Sequence, residues 1–155
     1  FEKIAAENKE ILLVIVGTKM WRSSTLKIPS SLDDRIIFTG HLPLEQLAAI
    51  MGSALALTYV PYFEGFGIPL VEAMKCGVPI LAANTTSLPE VAGNAAIYCN
   101  PFDTVEIAEG MKQLIADKAL REALSKNGLS RSELFSWDAS AEKVWTILEN
   151  TNAGK

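Results

Sequence analysis

The feature that most constrains the fold is the alternation of short apolar runs with segments of helical periodicity. Five short runs are predicted as β-strands: Ile11–Val16, Arg35–Thr39, Leu55–Tyr59, Pro79–Ala83 and Ala96–Cys99. Five longer segments are predicted as α-helices: Leu44–Met51, Ile68–Cys76, Val105–Ala116, Lys118–Ser132 and Trp137–Glu149. Strands that alternate with helices indicate βα units. We therefore predict an α/β fold, a Rossmann-like, doubly wound parallel sheet of about five to six strands.

The ends of these elements carry further signals. The first strand is apolar at every position, so we expect helices to cover both of its faces. Gly52 and Gly77 follow helical patterns and suit left-handed C-terminal caps. Two pairs match the capping box, namely Asp103 with Glu106 and Ser87 with Glu90. The last helix carries one apolar stripe, formed by Ala141, Val144, Trp145 and Leu148.

The organisation of the chain indicates one domain over residues 1–150, followed by a tail at 151–155. Phe1–Lys9 resembles the end of a helix, and a doubly wound sheet normally has a strand before such a helix. We therefore expect the sequence to begin inside a domain.

Composition excludes several classes of function. With 14 Lys and Arg against 18 Asp and Glu, and no basic cluster, nucleic acid is not an expected partner. Cys76 and Cys99 lie in apolar stretches without metal-ligand spacing, so we expect both to be buried, reduced thiols. His41 is the single histidine, which leaves no histidine-based zinc site. No apolar run is long enough to span a membrane, and we expect a cytoplasmic protein.

The segment Pro61–Gly77 carries the most chemical information. It leads from a strand end through a turn containing Gly65 and Gly67 into a helix with Pro69 near its start. Free amides at such a helix start favour anions, and ligands of parallel sheets gather beyond the strand ends. Such a turn is also often only a tight connection. A dinucleotide fingerprint is disfavoured because Leu70 replaces its third glycine, and no Walker loop is present.

Two carboxylates flank this turn, Glu64 and Glu72. Glu72 falls early in the helix, where it could accept two hydrogen bonds from a vicinal diol such as a ribose. Glu64 precedes the turn and could meet a sugar hydroxyl. The spacing alone proves nothing, because Glu2 and Glu10 repeat it. A solvated first-turn glutamate is the alternative for Glu72.

The sequence from Glu64 to Pro79 resembles the E-x7-E signature of retaining, two-domain (GT-B) glycosyltransferases of family four, also called group 1. Three further segments match the same family in order: Ile36–Gly40, Ser87–Gly93 and Phe135–Trp137. The resemblance is to the C-terminal, donor-binding domain and covers nearly the whole chain. It implies one half of a GT-B architecture that binds a nucleotide-diphosphate sugar.

The resemblance also implies roles for individual residues. Glu64 would contact the transferred hexose, close to catalysis, and Glu72 would bind the ribose. The amides of Gly65–Gly67 would hold the diphosphate and the sugar, the strand end at Thr39–His41 would meet the base, and Gly17 would line the cleft. The implied donor-binding residues are Gly17, Thr39, Gly40, His41, Gly65, Phe66, Gly67, Ile68 and Glu72. The family transfers a hexose to a glycan or lipid with retention, and no metal or other cofactor is expected.

Parts of the family pattern are not matched in this sequence. An Arg and a Lys that neutralise the diphosphate would lie before Phe1, and the acceptor-binding N-terminal domain would lie further upstream. That domain is an expected partner, and any peripheral membrane association would depend on it. Charge-assisted hydrogen bonds contribute about 1.5–3 kcal/mol each, against about 0.3–1 kcal/mol from a helix terminus. We therefore expect feeble donor binding and no transfer by this chain alone.

Alternatives remain at this point. One is an isomerase domain that epimerises a UDP-linked amino sugar, and another is a non-catalytic α/β nucleotide-binding or signalling module. The signalling chemistry needs aspartates at strand carboxyl ends, whereas Asp33 and Asp34 precede a strand. His41 suits either a base contact or an ordinary surface position. For Glu90 we favour the cap over a ligand contact.

Overall fold

The computed structural model describes residues 1–18 and 28–153. Within these ranges the chain forms five strands: β1 (Leu13–Val16), β2 (Ile36–Gly40), β3 (Leu57–Tyr59), β4 (Ile80–Ala83) and β5 (Ala96–Cys99). The α-helices are α1 (Glu2–Ala5), α2 (Leu44–Ser53), α3 (Ile68–Lys75), α4 (Leu88–Ala92), α5 (Thr104–Ala116), α6 (Lys118–Ser132) and α7 (Trp137–Ala153). Each pair of neighbouring strands runs parallel, which confirms the predicted α/β class.

The strands are divided between two sheets. β1 pairs with β2, and β3, β4 and β5 pair in that order. The two central registers place Leu57 opposite Ile80 and Ile80 opposite Ala96. The five strands agree with the predicted number and parallel arrangement, although no ladder joins the two sheets in the part of the chain that the structure describes.

The hydrophobic core is built around β4. This strand has a neighbour on each side and is buried at all four positions. One cluster of buried side chains lies where α3 and α4 meet the sheet, and it includes Leu70, Met74, Ile80 and Leu88. A second cluster joins Leu81 to Cys99, Leu114 and Leu124 on β5, α5 and α6. The run Pro79–Ala83 is apolar because helices cover both of its faces.

β1 does not meet the same expectation. Its residues Val14, Ile15 and Val16 remain 39%, 37% and 38% exposed, although the strand is apolar throughout. The reason is that, within residues 1–18 and 28–153, β1 pairs on one side only and belongs to a two-stranded sheet. The apolar stripe on α7 is also uncovered, with Val144, Trp145 and Leu148 between 53% and 63% exposed. Both surfaces therefore present apolar side chains that this chain leaves uncovered.

Most predicted boundaries agree with the structure to within two residues, and β5 and α6 agree at both ends. α7 is longer than predicted, so Thr151–Ala153 of the predicted tail are helical, while residues 154–155 lie outside the described ranges. α4 and the 3-10 turns at Ser30–Arg35 and Gly93–Ala95 were not predicted as helices. None of the helices described is long and apolar enough to cross a bilayer.

The predicted caps have mixed outcomes. Asp103 accepts hydrogen bonds from the amides of Val105 and Glu106 at 2.8 and 3.2 Å, so it caps α5. The other half of the predicted capping box does not form, because the Asp103 amide donates to the Asn100 carbonyl at 3.1 Å. Gly77 has a φ of +68° and ends α3 in the left-handed conformation. The prediction for Gly52 is wrong, because that residue lies inside α2, which ends at Ser53 and continues into extended backbone.

The two cysteines also differ. Cys99 is buried in the second core cluster, and burial raises the pKa of its thiol to about 11. Cys76 is exposed, which corrects the expectation that both thiols are buried. It is the last residue before the left-handed turn at Gly77, and such helix ends lie at the surface.

The contrast between Gly52 and Gly77 yields a direct test. Gly52→Ala places a methyl group in open space on a helix, so we expect stabilisation by about 0.5–1 kcal/mol. Gly77→Ala forces a side chain into the left-handed region, with the Ser125 Oγ atom 3.2 Å from the new Cβ. We expect it to destabilise the chain by about 1–2 kcal/mol. Urea denaturation followed by circular dichroism measures both changes, and equal effects would contradict the assigned helix ends.

Candidate functional site

The glycine-bearing loop between β3 and α3 adopts the predicted strand–turn–helix geometry. Gly67 is the N-cap of α3 with a φ of +105°, Pro69 lies in the first turn, and no side chain caps the helix start. A Cβ atom at Gly67 would lie 2.7 Å from Cδ2 of Leu88, so both the backbone conformation and the packing require glycine. Gly65 and Phe66 lie exposed at the rim beyond the carboxyl end of β3.

The carboxylate of Glu64 is anchored at both oxygens. The Tyr59 hydroxyl donates to Oε2 at 2.5 Å, and the amide of Phe66 donates to Oε1 at 3.4 Å. The pKa of Glu64 is lowered, chiefly by the Tyr59 hydrogen bond and next by the Phe66 amide, with smaller contributions from the Gly65 and Gly67 amides. Glu64 is therefore ionised at neutral pH and can only accept hydrogen bonds.

The pKa of Tyr59 is shifted in the opposite direction to that of Glu64. Burial, and next the hydrogen bond to Glu64, raise the pKa of its phenol to about 12. A phenol with that pKa stays protonated across the physiological range. Tyr59 is thus a permanent donor to the carboxylate.

A second loop, which follows β4, holds the main chain around Glu64. The Ser87 hydroxyl lies 3.0 Å from the carbonyl oxygen of Glu64 and 2.9 Å from that of Phe66. A hydroxyl carries one proton, so the two carbonyls share it. The Glu64 amide donates to Oγ1 of Thr86 at 3.3 Å. Two loops from neighbouring strands are therefore tied together at the same rim.

These contacts overturn the capping box predicted for Ser87 and Glu90. Ser87 has helical backbone angles of −80° and −16°, and its side chain makes no cap hydrogen bond to α4. The hydroxyl is directed to the Glu64 loop and is unavailable to the helix amides. Glu90 is exposed and makes no cap contact in this helix start.

Thr86 is strained. Its φ of +55° is the only positive φ at a non-glycine residue in the described part of the chain. A β-branched residue in this region is an outlier, and such conformations cost about 1–3 kcal/mol and cluster at functional sites. The neighbouring Thr85 has a buried hydroxyl oxygen without a hydrogen-bond partner among the described residues. The loop after β4 thus combines an unfavourable backbone conformation with hydrogen bonds to the Glu64 loop.

Aromatic side chains surround the Glu64 loop. The Phe66 ring meets Phe135 edge to face, with centroids 5.9 Å apart and an interplanar angle of 82°. Tyr62 stacks on Phe102 at 4.7 Å, and both rings are largely exposed. Phe135 begins the Phe-Ser-Trp motif, so this motif contacts the loop directly.

Glu72 lies in the second turn of α3 and is partly buried. No hydrogen bond or ion pair engages its side chain within the described ranges. Ile68, at the start of the same helix, is 42% exposed.

The remaining predicted site residues lie together at the ends of β1 and β2. The Gly17 amide donates to the Gly40 carbonyl at 2.9 Å, and both glycines have positive φ, at +125° and +70°. A Cβ atom on either would meet open space. The Thr39 hydroxyl donates to the Gly40 carbonyl, and His41 is exposed. No hydrogen bond between described residues links this group to the Glu64 loop.

The arginines of the described chain are committed to structural contacts. Arg35 donates to the carbonyls of Ala5, Asn8 and Ile11. Arg121 donates to carbonyls at the end of α5, and Arg131 to those of Glu90 and Val91. No cluster of three or more potential metal ligands occurs in residues 1–18 and 28–153.

Comparison with known protein families identifies the family of this chain. The family model described as glycosyl transferases group 1 matches residues 1–131. The chain belongs to this family. The predicted resemblance is thereby confirmed, and the Glu64 loop and α3 fall within the matched region.

Two relatives illustrate the match. O-antigen chain mannosyltransferase B of Escherichia coli is 35% identical over 129 residues, which cover 81% of this chain and 34% of that protein. MMP alpha-(1->4)-mannosyltransferase of Mycolicibacterium hassiacum is 32% identical over 126 residues, covering 79% of this chain and 31% of that protein. The chain thus spans about a third of the length of these relatives.

A solved structure supports the fold. Anabaena HepE, determined in complex with UDP and glucose, superposes with a TM-score of 0.82 at 20% identity. The similarity covers 96% of this chain and 43% of that protein. The described chain therefore has the fold of part of a larger GT-B enzyme.

Sequence reasoning missed three residues of the site: Tyr59, Thr86 and Ser87. Tyr59 lies at the end of a strand, five positions before Glu64, and this placement could have suggested a contact. Ser87 was noticed but assigned to a helix cap. No local signal distinguishes a serine that caps its own helix from one that bonds to a neighbouring loop.

The tie between the two loops can be tested with Ser87→Ala. Loss of the shared hydrogen bond should destabilise the chain by about 0.5–1.5 kcal/mol and speed hydrogen exchange at the Phe66 and Gly67 amides. Ser53→Ala is the control, because that exposed hydroxyl donates only to the Ile50 carbonyl of its own helix. Unchanged exchange in the Glu64 loop of Ser87→Ala would contradict the tie.

Proposed function

We propose that this chain is the donor-binding part of a hexosyltransferase that moves a hexose from a nucleotide-diphosphate sugar to a glycan or lipid acceptor, with retention and without a metal. The observation that carries the proposal is the ionised Glu64 carboxylate, held at the rim over the loop that begins α3, in a chain of the group 1 family. Family membership favours transfer over the isomerase and signalling alternatives. The mannosyltransferases among the relatives make mannose the first sugar to test.

Glu64 has the chemistry of a sugar-positioning group. Its pKa is lowered, so it does not donate a proton at neutral pH. A carboxylate has about four lone-pair sites, and Tyr59 and Phe66 occupy two of them. The remaining sites can accept hydrogen bonds from the hydroxyls of a hexose. We assign Glu64 to holding and polarising the transferred sugar.

The same geometry suggests that the hexose and the diphosphate of the donor bind through different contacts. The Gly65, Phe66 and Gly67 amides already favour the Glu64 anion, so a second anion placed directly on them would be repelled. The neutral hexose suits this loop better than the diphosphate does. The diphosphate then depends on the uncapped start of α3 and on cations that the described arginines do not provide.

This division predicts weak donor binding by the isolated chain. We expect dissociation constants above about 100 μM for UDP-glucose and GDP-mannose, because a helix terminus supplies about 0.3–1 kcal/mol at an exposed site. Ligand-observed NMR measures the binding, with the full-length protein as the positive control. Saturable binding of either donor in the low micromolar range by the isolated chain would contradict the prediction.

Glu72 is proposed to accept two hydrogen bonds from the ribose of the donor. In the full-length protein, Glu72→Gln should weaken binding of the cognate nucleoside diphosphate by about ten- to a hundred-fold, since bonds to charged groups contribute about 1.5–3 kcal/mol. Glu109→Gln on α5 is the matched control, because it removes the same charge from an exposed helical glutamate. Isothermal titration of UDP and GDP measures the change.

The ribose is part of both the nucleotide and the nucleotide sugar. The Glu72 change should therefore weaken both ligands by the same factor. A loss confined to the sugar-bearing ligand would show that Glu72 contacts the hexose instead. Unchanged affinity for both would remove Glu72 from the site.

We further propose that the rest of the full-length protein covers the exposed apolar surfaces of β1 and α7. The relatives are about three times as long as the matched region, which leaves room for an acceptor-binding domain. Apolar side chains on these two elements, among them Ile15 and Trp145, are suited to such an interface. We place the full-length protein in the cytoplasm, with any contact to the inner face of the membrane made by that other domain.

A further inference from the structure

The hydrogen bond between Tyr59 and Glu64 joins a rigid part of the fold to a loop. Tyr59 is the last residue of β3 and packs against the core cluster of α3 and β4. Glu64 lies five residues later, at the exposed rim. The phenol therefore reaches the carboxylate from a position that the sheet fixes.

We propose that Tyr59 is a positioning residue that sets the orientation of the Glu64 carboxylate toward the sugar-binding side of the loop. This inference rests on the proposed role of Glu64. Tyr59 does not contact the donor and acts through Glu64 alone.

The geometry makes Tyr59 the principal restraint on this side chain. The other donor to the carboxylate is the Phe66 amide, at the longer distance of 3.4 Å. Ser87 and Thr86 hold the main chain of Glu64 but do not touch its carboxylate. Without the phenol, only the longer and weaker contacts from the main-chain amides of the loop would restrain the glutamate side chain, while its backbone stays in place.

The chemical nature of the donor also matters. A phenol is neutral, so it orients the carboxylate without cancelling its negative charge, as Lys or Arg would. No Lys, Arg or His forms an ion pair with Glu64 in the described ranges. Tyr59 is the one titratable group there that shifts the pKa of Glu64, since the facing Thr86 and Ser87 do not titrate. The anchored anion keeps its full charge for the hydroxyls of the sugar.

The structure offers a matched control in Tyr98. This tyrosine packs against the same core cluster as Tyr59, and its hydroxyl donates one hydrogen bond, to the Gly93 carbonyl at 2.6 Å. Tyr98→Phe and Tyr59→Phe thus remove the same atom and one hydrogen bond each. Only Tyr59→Phe releases Glu64.

The test is a double-mutant cycle in the full-length enzyme, with UDP-glucose and GDP-mannose as probes and release of the nucleoside diphosphate as the readout. We expect Tyr59→Phe to lower kcat/KM about ten-fold or more, since it removes a hydrogen bond to a charged group. In a Glu64→Gln background the same change should have little further effect, because the two residues act as a unit. Tyr98→Phe should leave kcat/KM within about two-fold in both backgrounds.

If Glu64→Gln is too slow for kinetics, the same cycle is measured on the dissociation constant of the donor. A Tyr59→Phe effect of equal size in both backgrounds would show a general structural role and overturn the inference. So would a Tyr59→Phe enzyme that matches Tyr98→Phe. Full activity of Glu64→Gln would instead overturn the proposed function of Glu64, and with it the basis of the inference.

The pH dependence provides a second readout. The Tyr59 hydrogen bond lowers the pKa of Glu64, so its removal should raise that pKa toward the ordinary value of about 4.3. The acid limb of the kcat/KM profile should then move to higher pH in Tyr59→Phe and stay in place in Tyr98→Phe. An acid limb that is unmoved in Tyr59→Phe would contradict the inference.

Discussion

The burial of β4 is the constraint on which the candidate site depends. This strand is apolar at every position and lies between β3 and β5 with helices on both faces. Because the strands are parallel, the loops after β3 and β4 emerge at the same rim. Ser87 and Thr86 from one loop can therefore bond to Glu64 in the other. The burial of β4 thus determines the position of the Glu64 carboxylate, although β4 does not contact it.

Much of this arrangement was readable from the sequence because it depends on local signals. The strand Ala96–Cys99 and the helix Lys118–Ser132 were predicted to the residue, since each has a clear period and a clear boundary. The glycine turn before α3 was predicted for the same reason. Proline at the helix start and glycine at its N-cap leave the backbone few alternatives.

The predictions that the structure corrects are those in which contacts between residues distant in sequence determine the outcome. The apolar run at β1 predicts a covered strand, but coverage depends on which strands pair with it, and among the described residues only β2 does. Ser87 matches a cap motif, yet its hydroxyl bonds to carbonyls more than twenty residues away. Tyr59 lies five positions before Glu64, but a tyrosine at a strand end is usually explained by packing, so its hydrogen bond was not predicted. Sequence patterns indicate which local conformations and contacts a residue favours, and tertiary contacts determine which of these form.

The charges at the proposed donor site favour hydroxyl groups over a diphosphate. Glu64 and Glu72 are both acceptors, suited to hydroxyl groups, and the described arginines are bound to main-chain carbonyls. A diphosphate brings negative charge toward two carboxylates, so the field of this surface alone opposes it. We propose that these carboxylates recognise the hydroxyl groups, while residues other than the described arginines neutralise the diphosphate. On this proposal, tight binding of the whole donor depends on those neutralising residues, while Glu64 and Glu72 select the sugar and the ribose.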